Sequence, residues 1–221
     1  MTYRHINTDG TDINLPVGKI VCVGRNYAAH AVELGNAVPD APMLFIKPAT
    51  ALVDLTRPLS LPSFSNDIHH EVELAVLIGR HMCAVEASEV PAGIAGLAVA
   101  VDLTARDVQS VLKKKGHPWE ISKGFDGACP LSPFVAPEKF EDLQNIDLSI
   151  TVNGELRQSG NTRDMVFGIP ALIAYMSGYF TLLPGDLILT GTPAGVGPVS
   201  PGDSLALTLG SDHRFDARIA P

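Results

Sequence analysis

The stretch His69-His70-Glu71-Val72-Glu73-Leu74-Ala75-Val76-Leu77-Ile78-Gly79 has the alternating pattern of a buried β-strand. Successive side chains of a strand point to opposite faces, so Glu71 and Glu73 share one face with their Cα atoms roughly 7 Å apart. The opposite face carries an apolar row suited to a hydrophobic core, formed by Val72, Leu74, Val76 and Ile78. The pattern therefore predicts a strand that holds two carboxylates close together.

These two glutamates predict a cation site. Two like charges about 6 Å apart at an effective dielectric of about 20 repel by roughly 3 kcal/mol, and partial burial adds a desolvation penalty. A divalent cation that prefers oxygen ligands, Mg²⁺ or Mn²⁺, offsets this repulsion best. The alternative is that the strand lies at a sheet surface, where water solvates both carboxylates.

Asp102 supplies a third carboxylate and favours the metal site. It follows the apolar run Ile94–Val101, and Thr104 with Asp107 three residues later is typical of a capping box that begins a helix. Asp102 therefore lies where a buried strand leads into a helix, which is a usual position for a site residue. An aspartate that only caps a turn would occupy the same position.

Arg106 and Gln109 are three residues apart on this predicted helix and share one of its faces. They can reach an anionic substrate beside the metal. The alternative is that both are ordinary surface residues.

His30 and Glu33 have i, i+3 spacing on a predicted helix over residues 27–34. A carboxylate bonded to an imidazole fixes the ring tautomer and supports the cation that forms when histidine takes a proton, as a general base requires. The alternative is a surface contact worth a few tenths of a kcal/mol.

Two further segments carry polar groups suited to an anionic ligand. Lys123 lies among apolar and small residues, where it can hold a substrate carbonyl or carboxylate, or simply pair with Asp126. Thr192 follows a predicted buried strand, and the hydroxyl and amide groups of its loop can bind a carboxylate. An ordinary turn would equally explain that loop.

Length and composition favour one ordered domain over residues 1–221, with a short N-terminal extension over residues 1–18. A net charge of −8 argues against a nucleic-acid partner, and we interpret the triplet Lys113-Lys114-Lys115 as a solvated helix end. The chain has neither a run of about 18 apolar residues nor a signal sequence, which predicts a cytoplasmic protein without a membrane partner. Three separated cysteines predict reduced, packed thiols: Cys22, Cys83 and Cys129.

Seventeen prolines and twenty glycines separate many short apolar runs, which is typical of a β-rich chain. The predicted strands span residues 19–23, 43–46, 72–78, 96–103, 148–152, 155–158, 187–190 and 204–209. The predicted helices span residues 27–34, 105–114 and 170–178.

The order of these motifs resembles the fumarylacetoacetate hydrolase family, specifically its short acylpyruvate hydrolase branch, which includes fumarylpyruvate hydrolases. The resemblance covers nearly the whole chain. The segments that carry it are Val23-Gly24-Arg25-Asn26-Tyr27, His30-Ala31-Val32-Glu33-Leu34-Gly35, Phe45-Ile46-Lys47-Pro48, His69-His70-Glu71-Val72-Glu73-Leu74, Asp102-Leu103-Thr104-Ala105-Arg106-Asp107, Lys123-Gly124-Phe125-Asp126, Val152-Asn153-Gly154-Glu155 and Leu189-Thr190-Gly191-Thr192-Pro193.

The resemblance implies an α+β, β-rich fold in which layered mixed β-sheets, a β-roll, surround a metal site, with few short helices and usually in a homodimer. It also implies a set of roles. Three residues bind Mg²⁺ or Mn²⁺, namely Glu71, Glu73 and Asp102. The catalytic residues are His30 and Glu33, on a segment that orders over the substrate, together with Lys123. The substrate-facing residues are Arg25, Lys47, Arg106, Gln109 and Thr192.

From these roles we expect hydrolytic cleavage of the C–C bond of a 3-acylpyruvate, such as acetylpyruvate or fumarylpyruvate, to pyruvate and a carboxylic acid. His30 would deprotonate the attacking water, Lys123 would stabilise the oxyanion, and the metal would hold the departing pyruvate enolate. The alternative is decarboxylation of oxaloacetate, which generates the same enolate, or isomerisation or decarboxylation of unsaturated dicarboxylic acids in aromatic catabolism. A third possibility is a metal-stabilised binding protein without catalysis.

Overall fold

Short strands make up most of the regular structure, as the frequent turn residues predict. The computed structural model describes residues 3–221. The strands are β1 (Ile20–Gly24), β2 (Met43–Lys47), β3 (Leu52–Asp54), β4 (Ile68–His70), β5 (Val72–Ile78), β6 (Ile94–Val101), β7 (Thr104–Ala105), β8 (Cys129–Leu131), β9 (Asp147–Val152), β10 (Glu155–Asn161), β11 (Leu187–Leu189), β12 (Gly197–Pro198), β13 (Ser204–Leu209) and β14 (His213–Arg218). The α-helices are α1 (Ala28–Glu33), α2 (Arg106–Lys115), α3 (Glu120–Lys123) and α4 (Ile169–Ser177).

The strands form three sheets. The largest has seven strands in the order β2-β1-β11-β5-β6-β8-β3. Most neighbours run antiparallel, but β1 pairs with β11 and β3 with β8 in parallel, so the sheet is mixed. A four-stranded sheet has the order β10-β9-β13-β14, and a small sheet has the order β12-β4-β7. This is the β-rich, layered α+β architecture that the sequence predicts.

Strand β5 lies in the middle of the large sheet and is buried on both faces. Its row of Val72, Leu74, Val76 and Ile78 packs into a core shared with the four-stranded sheet and helix α4. Ala75 and Leu77, which follow Glu73 on the other face, join a second core cluster. Because apolar groups cover both faces, a charged side chain on β5 needs a built polar environment.

The three predicted helices form within one residue of their predicted bounds, but the predicted capping box of α2 does not form. Helix α2 begins at Arg106, one residue after the predicted start, and its N-cap residue Ala105 has no side chain that can cap it. Thr104 instead lies in strand β7, where its side chain is buried. The carboxylate of Asp107 accepts hydrogen bonds from Ser65 Oγ at 2.6 Å and from the backbone of Asn66. The predicted helix over residues 170–178 is α4, and proline stands in its first turn.

The predicted N-terminal extension packs against the domain over its described part. Its side chains Tyr3, Ile13, Leu15 and Val17 contact the second core cluster, while residues 1–2 lie outside the described part of the chain.

Two of the three cysteines, Cys22 and Cys129, are buried free thiols, as predicted, but the thiol-bearing residue Cys83 is exposed. Across residues 3–221, none of the helices has the length and apolar character needed to cross a bilayer.

Candidate active site

The pairing of β5 with β6 brings the three acidic residues together. In this antiparallel register Val72 is opposite Val101 and Glu73 is opposite Ala100. The register continues one residue further, since the backbone N–H of Asp102 donates to the carbonyl of Glu71 at 2.8 Å. Opposed residues on an antiparallel pair have their Cβ atoms about 5 Å apart on the same face. Asp102 therefore faces Glu71, with Glu73 two residues further along β5.

The three carboxylates converge in a buried cluster. One oxygen from each of Glu71, Glu73 and Asp102 lies within 4.8 Å of the others, and the residues are 5%, 2% and 1% exposed. We refer to these three residues as the acidic triad. Their convergence and burial exclude the alternative in which water solvates the glutamates at a sheet surface.

Lys123, at the end of α3, places its ammonium among the triad oxygens. Its Nζ lies 2.8 Å from Glu71 Oε2 and 2.7 Å from Asp102 Oδ2, and it donates to Thr104 Oγ1 at 2.6 Å. Burial would lower the pKa of Lys123, but the charges of Asp102 and Glu71 outweigh burial and raise it. The ammonium therefore stays charged, and the alternative pairing of Lys123 with Asp126 does not form.

Lys47 supports the triad from behind and does not face the cavity that the other predicted residues line. Its side chain is fully buried, with Nζ 2.7 Å from Asp102 Oδ1, and it donates to the carbonyls of Ala128, at 2.8 Å, and of Lys123. Two of its ammonium protons are bonded to these carbonyls, and its charge faces Asp102 as an ion pair. We therefore correct the predicted substrate-facing role of Lys47: it holds Asp102 and the backbone at Lys123 in place.

Arg106 and Gln109 sit on the face of α2 that turns towards the triad. Arg106 forms an ion pair with Glu71 and donates to Gln109 Oε1 at 2.7 Å. Burial would raise the pKa of Glu71, but Lys123 and then Arg106 outweigh it and hold that pKa well below the ordinary value. Glu71 is therefore ionised and fixed in direction.

Glu73 differs from its partners because it forms no ion pair within residues 3–221. Its Oε2 accepts a hydrogen bond of 2.6 Å from the backbone N–H of Gly191. Gly191 has φ of +95°, and a Cβ at this position would lie 2.7 Å from the Cβ of Asn26, so only glycine lets this N–H approach. Burial, and then the charge of Asp102, raise the pKa of Glu73 well above its ordinary value.

The acidic triad fits a divalent metal ion. Its donors are hard carboxylate oxygens on three buried residues, which is the ligand chemistry that Mg²⁺ and Mn²⁺ prefer. A buried carboxylate without a paired cation, as at Glu73, is stabilised by a cation placed between the three groups. Glu71, Glu73 and Asp102 are thus the residues that would hold the metal.

The predicted dyad forms at α1 and is tied to a distant loop. His30 Nδ1 lies 3.2 Å from Glu33 Oε2, and Glu33 Oε1 accepts a hydrogen bond of 2.9 Å from the backbone N–H of Gly195. His30 is 5% exposed, whereas the Glu33 side chain is 32% exposed, so the contact is buried on the histidine side only. With Nδ1 directed at Glu33, Nε2 is the ring nitrogen left for the cavity.

Gln158 of β10 is a buried connector that the sequence analysis missed. Its Oε1 accepts from the backbone N–H of Val72 at 3.0 Å and contacts His70 Nδ1 at 2.8 Å. Its Nε2 donates to Thr192 Oγ1 at 2.7 Å and to the carbonyl of Pro193 at 2.8 Å. One amide thus joins the start of β5 to the loop that carries Thr192.

A single cavity brings most of the predicted residues together. It is a small cleft that is partly open to solvent. The predicted residues that line it are Arg25, His30, Glu71, Glu73, Asp102, Arg106, Gln109, Lys123 and Thr192. Lys47 and Glu33 stand behind this lining, against Asp102 and His30 respectively.

Other lining residues were not predicted. Phe45 and Trp119 form an apolar wall with ring centroids 6.0 Å apart. The rest of the lining consists of Val23, Gly24, Leu34, Asn36, Met43 and Lys113. Lys113 follows Arg106 by seven residues, so helical spacing could have placed both on one face. The apolar wall has no such signal, because it joins residues of β2 and of the segment before α3.

Comparisons with known proteins show what the chain is similar to. The model of the fumarylacetoacetate (FAA) hydrolase C-terminal family matches residues 19–218. The oxaloacetate tautomerase YcgM of Escherichia coli (strain K12) is 53% identical over 218 residues, which cover 98% of this chain and 99% of that protein. The mitochondrial oxaloacetate decarboxylase of Dictyostelium discoideum is 48% identical over 202 residues, which cover 90% of this chain and 93% of that protein.

A solved structure of lower sequence identity has a similar backbone. The crystal structure of fumarylpyruvate hydrolase from Pseudomonas aeruginosa, in complex with Mn²⁺ and pyruvate, is 34% identical with a TM-score of 0.93, and the match covers 99% of this chain and 96% of that chain. The identities therefore favour the oxaloacetate alternative over acylpyruvate hydrolysis.

Proposed function

Because the chain belongs to the fumarylacetoacetate hydrolase family, with an acidic triad and a histidine-glutamate dyad at one cavity, we propose that it is a metal-dependent oxaloacetate tautomerase. The reaction interconverts the enol and keto forms of a four-carbon 2-oxo dicarboxylic acid. The observation that carries the proposal is the 53% identity with the Escherichia coli oxaloacetate tautomerase along almost the full length of both chains. This proposal replaces acylpyruvate hydrolysis, whose named relative is 34% identical.

The cavity is suited to binding the 2-oxo-carboxylate end of the substrate. Mg²⁺ or Mn²⁺, when held by Glu71, Glu73 and Asp102, supplies a Lewis acid that stabilises negative charge on an enolate oxygen. Arg106 and Gln109 are neighbours of Glu71 that can donate hydrogen bonds to the substrate carboxylate. The buried Lys123 ammonium adds a fixed positive charge beside the C2 oxygen.

His30 is assigned the proton transfer at C3. In the direction from keto to enol, the C3–H bond breaks and its electron pair forms the C2–C3 double bond. The π pair of the C2 carbonyl moves to its oxygen, which takes up a proton from the solvent. His30 Nε2 accepts the C3 proton because Nδ1 is directed at Glu33, which also stabilises the imidazolium that results. The reverse direction returns this proton to C3. No water enters the balance, so this reaction has no need of a water held beside the dyad.

Decarboxylation is the second candidate, and the 48% identity with the Dictyostelium discoideum oxaloacetate decarboxylase favours it. Loss of CO₂ from C4 of the keto form would leave the enolate of pyruvate. The same cavity residues that stabilise charge on the C2 oxygen would stabilise that enolate.

One assay separates these reactions. The enol form of oxaloacetate is added to the protein with Mg²⁺, and decay of enol absorbance is followed together with pyruvate release. A tautomerase accelerates enol decay without a matching release of pyruvate, whereas a decarboxylase releases one pyruvate for each oxaloacetate consumed. Acetylpyruvate and fumarylpyruvate are tested in parallel. Turnover of these two alone would overturn the proposal.

A further inference from the structure

Two cationic side chains at the cavity form no ion pair within residues 3–221. Arg25 follows strand β1, Lys113 lies in the last turn of α2, and both line the cavity that holds the acidic triad. Neither forms a hydrogen bond or an ion pair with another side chain of residues 3–221. In a chain of net charge −8, acidic partners are plentiful, so two unpaired cations at one cavity indicate a place for an anion.

The geometry of α2 directs Lys113 at the cavity. Seven residues on a helix return to within about 20° of the starting direction, so Lys113 projects from the same face as Arg106. The rise between them is about 10 Å along the axis, and long side chains lean towards the helix N-terminus, which brings the Lys113 ammonium back towards Arg106. Lys115 projects about 180° away from Arg106 and therefore lies on the opposite face.

The electrostatic environment of Lys113 agrees with this placement. Burial lowers its pKa, the positive charges of Arg25 and then Arg106 lower it further, and the negative charge of Glu71 opposes them with a smaller effect. Three cationic groups thus lie near one another on one side of the cavity. Like charges held together repel, and an anion bound between them removes that repulsion.

The backbone of Arg25 is also unusual. Its φ is +60°, in the left-handed region, although it is not glycine. Such a conformation costs about 1–2 kcal/mol, and strain of this kind is found where a side chain has to be presented to a ligand.

We propose that Lys113 and Arg25 form a subsite for the distal carboxylate of a 2-oxo dicarboxylic acid whose 2-oxo-carboxylate end lies at the acidic triad. This subsite rests on the proposed function and names its substrate class: four-carbon diacids are bound in preference to 2-oxo acids with a neutral distal end. A carboxylate held by two cations is stabilised relative to neutral CO₂, so the subsite favours proton transfer over decarboxylation. All three lysines of the triplet are exposed to solvent, and Lys113 also lines the cavity.

The test compares substrates that differ only in distal charge. Oxaloacetate and its 4-amide, 2-oxosuccinamate, are assayed with the Mg²⁺-loaded protein and its variants. Lys113→Gln removes the charge, Lys113→Arg retains it, and Lys115→Gln is the matched control from the opposite face of α2.

For Lys113→Gln we expect KM for oxaloacetate to rise on the order of tenfold, because a charge-assisted contact is lost. KM for the amide should change by less than about twofold, because its distal end is neutral. Lys113→Arg should restore KM for oxaloacetate, and Lys115→Gln should behave as the unsubstituted protein. Equal changes for both substrates, or the same change in Lys115→Gln, would overturn the subsite.

A binding experiment tests the subsite separately from the proposed function. If the unsubstituted protein does not turn over oxaloacetate, the subsite is still decided by displacement of bound oxalate, which occupies the metal end alone. Oxaloacetate should displace oxalate about tenfold better than the amide does, and Lys113→Gln should abolish the difference. Equal displacement by oxaloacetate and the amide in the unsubstituted protein would overturn the subsite.

Discussion

His30 is the residue on which the proposed proton transfer depends most. Its ring contacts Glu33 through Nδ1 and lines the cavity, so His30→Ala removes the base without touching the acidic triad. We expect enol turnover to fall by about 10²-fold or more, because a positioned general base contributes an effect of this size. Turnover is measured at saturating oxaloacetate, with Mn²⁺ uptake measured in the same preparation.

The exposed residue His81 provides the matched control for this substitution. His81→Ala should leave turnover unchanged. Full activity in His30→Ala would remove the histidine from the mechanism, and loss of Mn²⁺ uptake would show that the substitution damaged the metal site instead.

Substitution of Lys47 tests whether its buried charge stabilises the acidic triad. Replacing it by methionine removes a fully buried cation 2.7 Å from Asp102 Oδ1. Lys123 still pairs with Asp102 Oδ2, but the buried oxygen Oδ1 loses its cation, so the free energy of unfolding should fall by roughly 3 kcal/mol. Urea denaturation of Lys47→Met measures this change, with the exposed Lys114→Met as control. A change below about 0.5 kcal/mol, the range of ordinary surface substitutions, would contradict the supporting role.

At the scale of elements, Glu33 links helix α1 to the loop around residue 195, because its carboxylate accepts a hydrogen bond from the backbone of Gly195. Gly195 has φ of +100°, and a Cβ there would lie 2.0 Å from the carbonyl oxygen of Arg157. Gly195→Ala should therefore displace the loop and release Glu33, which lowers enol turnover by on the order of tenfold through misplacement of His30.

Gly202 is the matched control for this loop. Its φ is +90°, but a Cβ would meet nothing within 4 Å. Gly202→Ala therefore carries backbone strain of about 1–2 kcal/mol without a clash, and turnover should be retained. Equal losses of turnover in both variants would show that the link to Glu33 has no part in catalysis.

The sequence predicts several of the longer strands, but it misses β14, predicts β6 two residues too far along the chain and ends β10 three residues early. The bounds of β5 and β13 match the prediction, because each run is followed by a glycine; β13 alternates in burial, whereas β5 is apolar at every position except Glu73. The short strands β4, β7 and β12 have no such pattern, since only pairing with one another defines them. Thr104 shows the consequence: local sequence favours a helix cap, but pairing of β7 with β4 places it in a strand.

In the candidate site, too, local features can be predicted and contacts between distant segments cannot. The acidic triad can be predicted because the spacing of Glu71 and Glu73, and the strand end at Asp102, are local features. The roles of Lys47 and Gln158 cannot be predicted, because each depends on contacts with residues more than 30 positions away in the chain. A single sequence contains no signal for the register that creates such contacts.

At the scale of the whole molecule, the fold brings segments that are distant in sequence to one cavity. The large sheet supplies the triad and Arg25, α2 and α3 supply the basic groups, and α1 supplies the dyad. The buried triad is the centre of this arrangement. The homodimer implied by the family resemblance stays a prediction, which sedimentation would test through a mass of twice the 23.4 kDa chain.

Calorimetric titration of the metal-free protein with Mn²⁺, followed by oxalate, tests the central claim most directly. We predict one Mn²⁺ per chain, uptake of oxalate only after Mn²⁺ is bound, and loss of both in Glu73→Gln but not in the exposed control Glu155→Gln. Absence of Mn²⁺ uptake, or undiminished uptake in Glu73→Gln, would contradict the assignment of Glu71, Glu73 and Asp102 as the metal site.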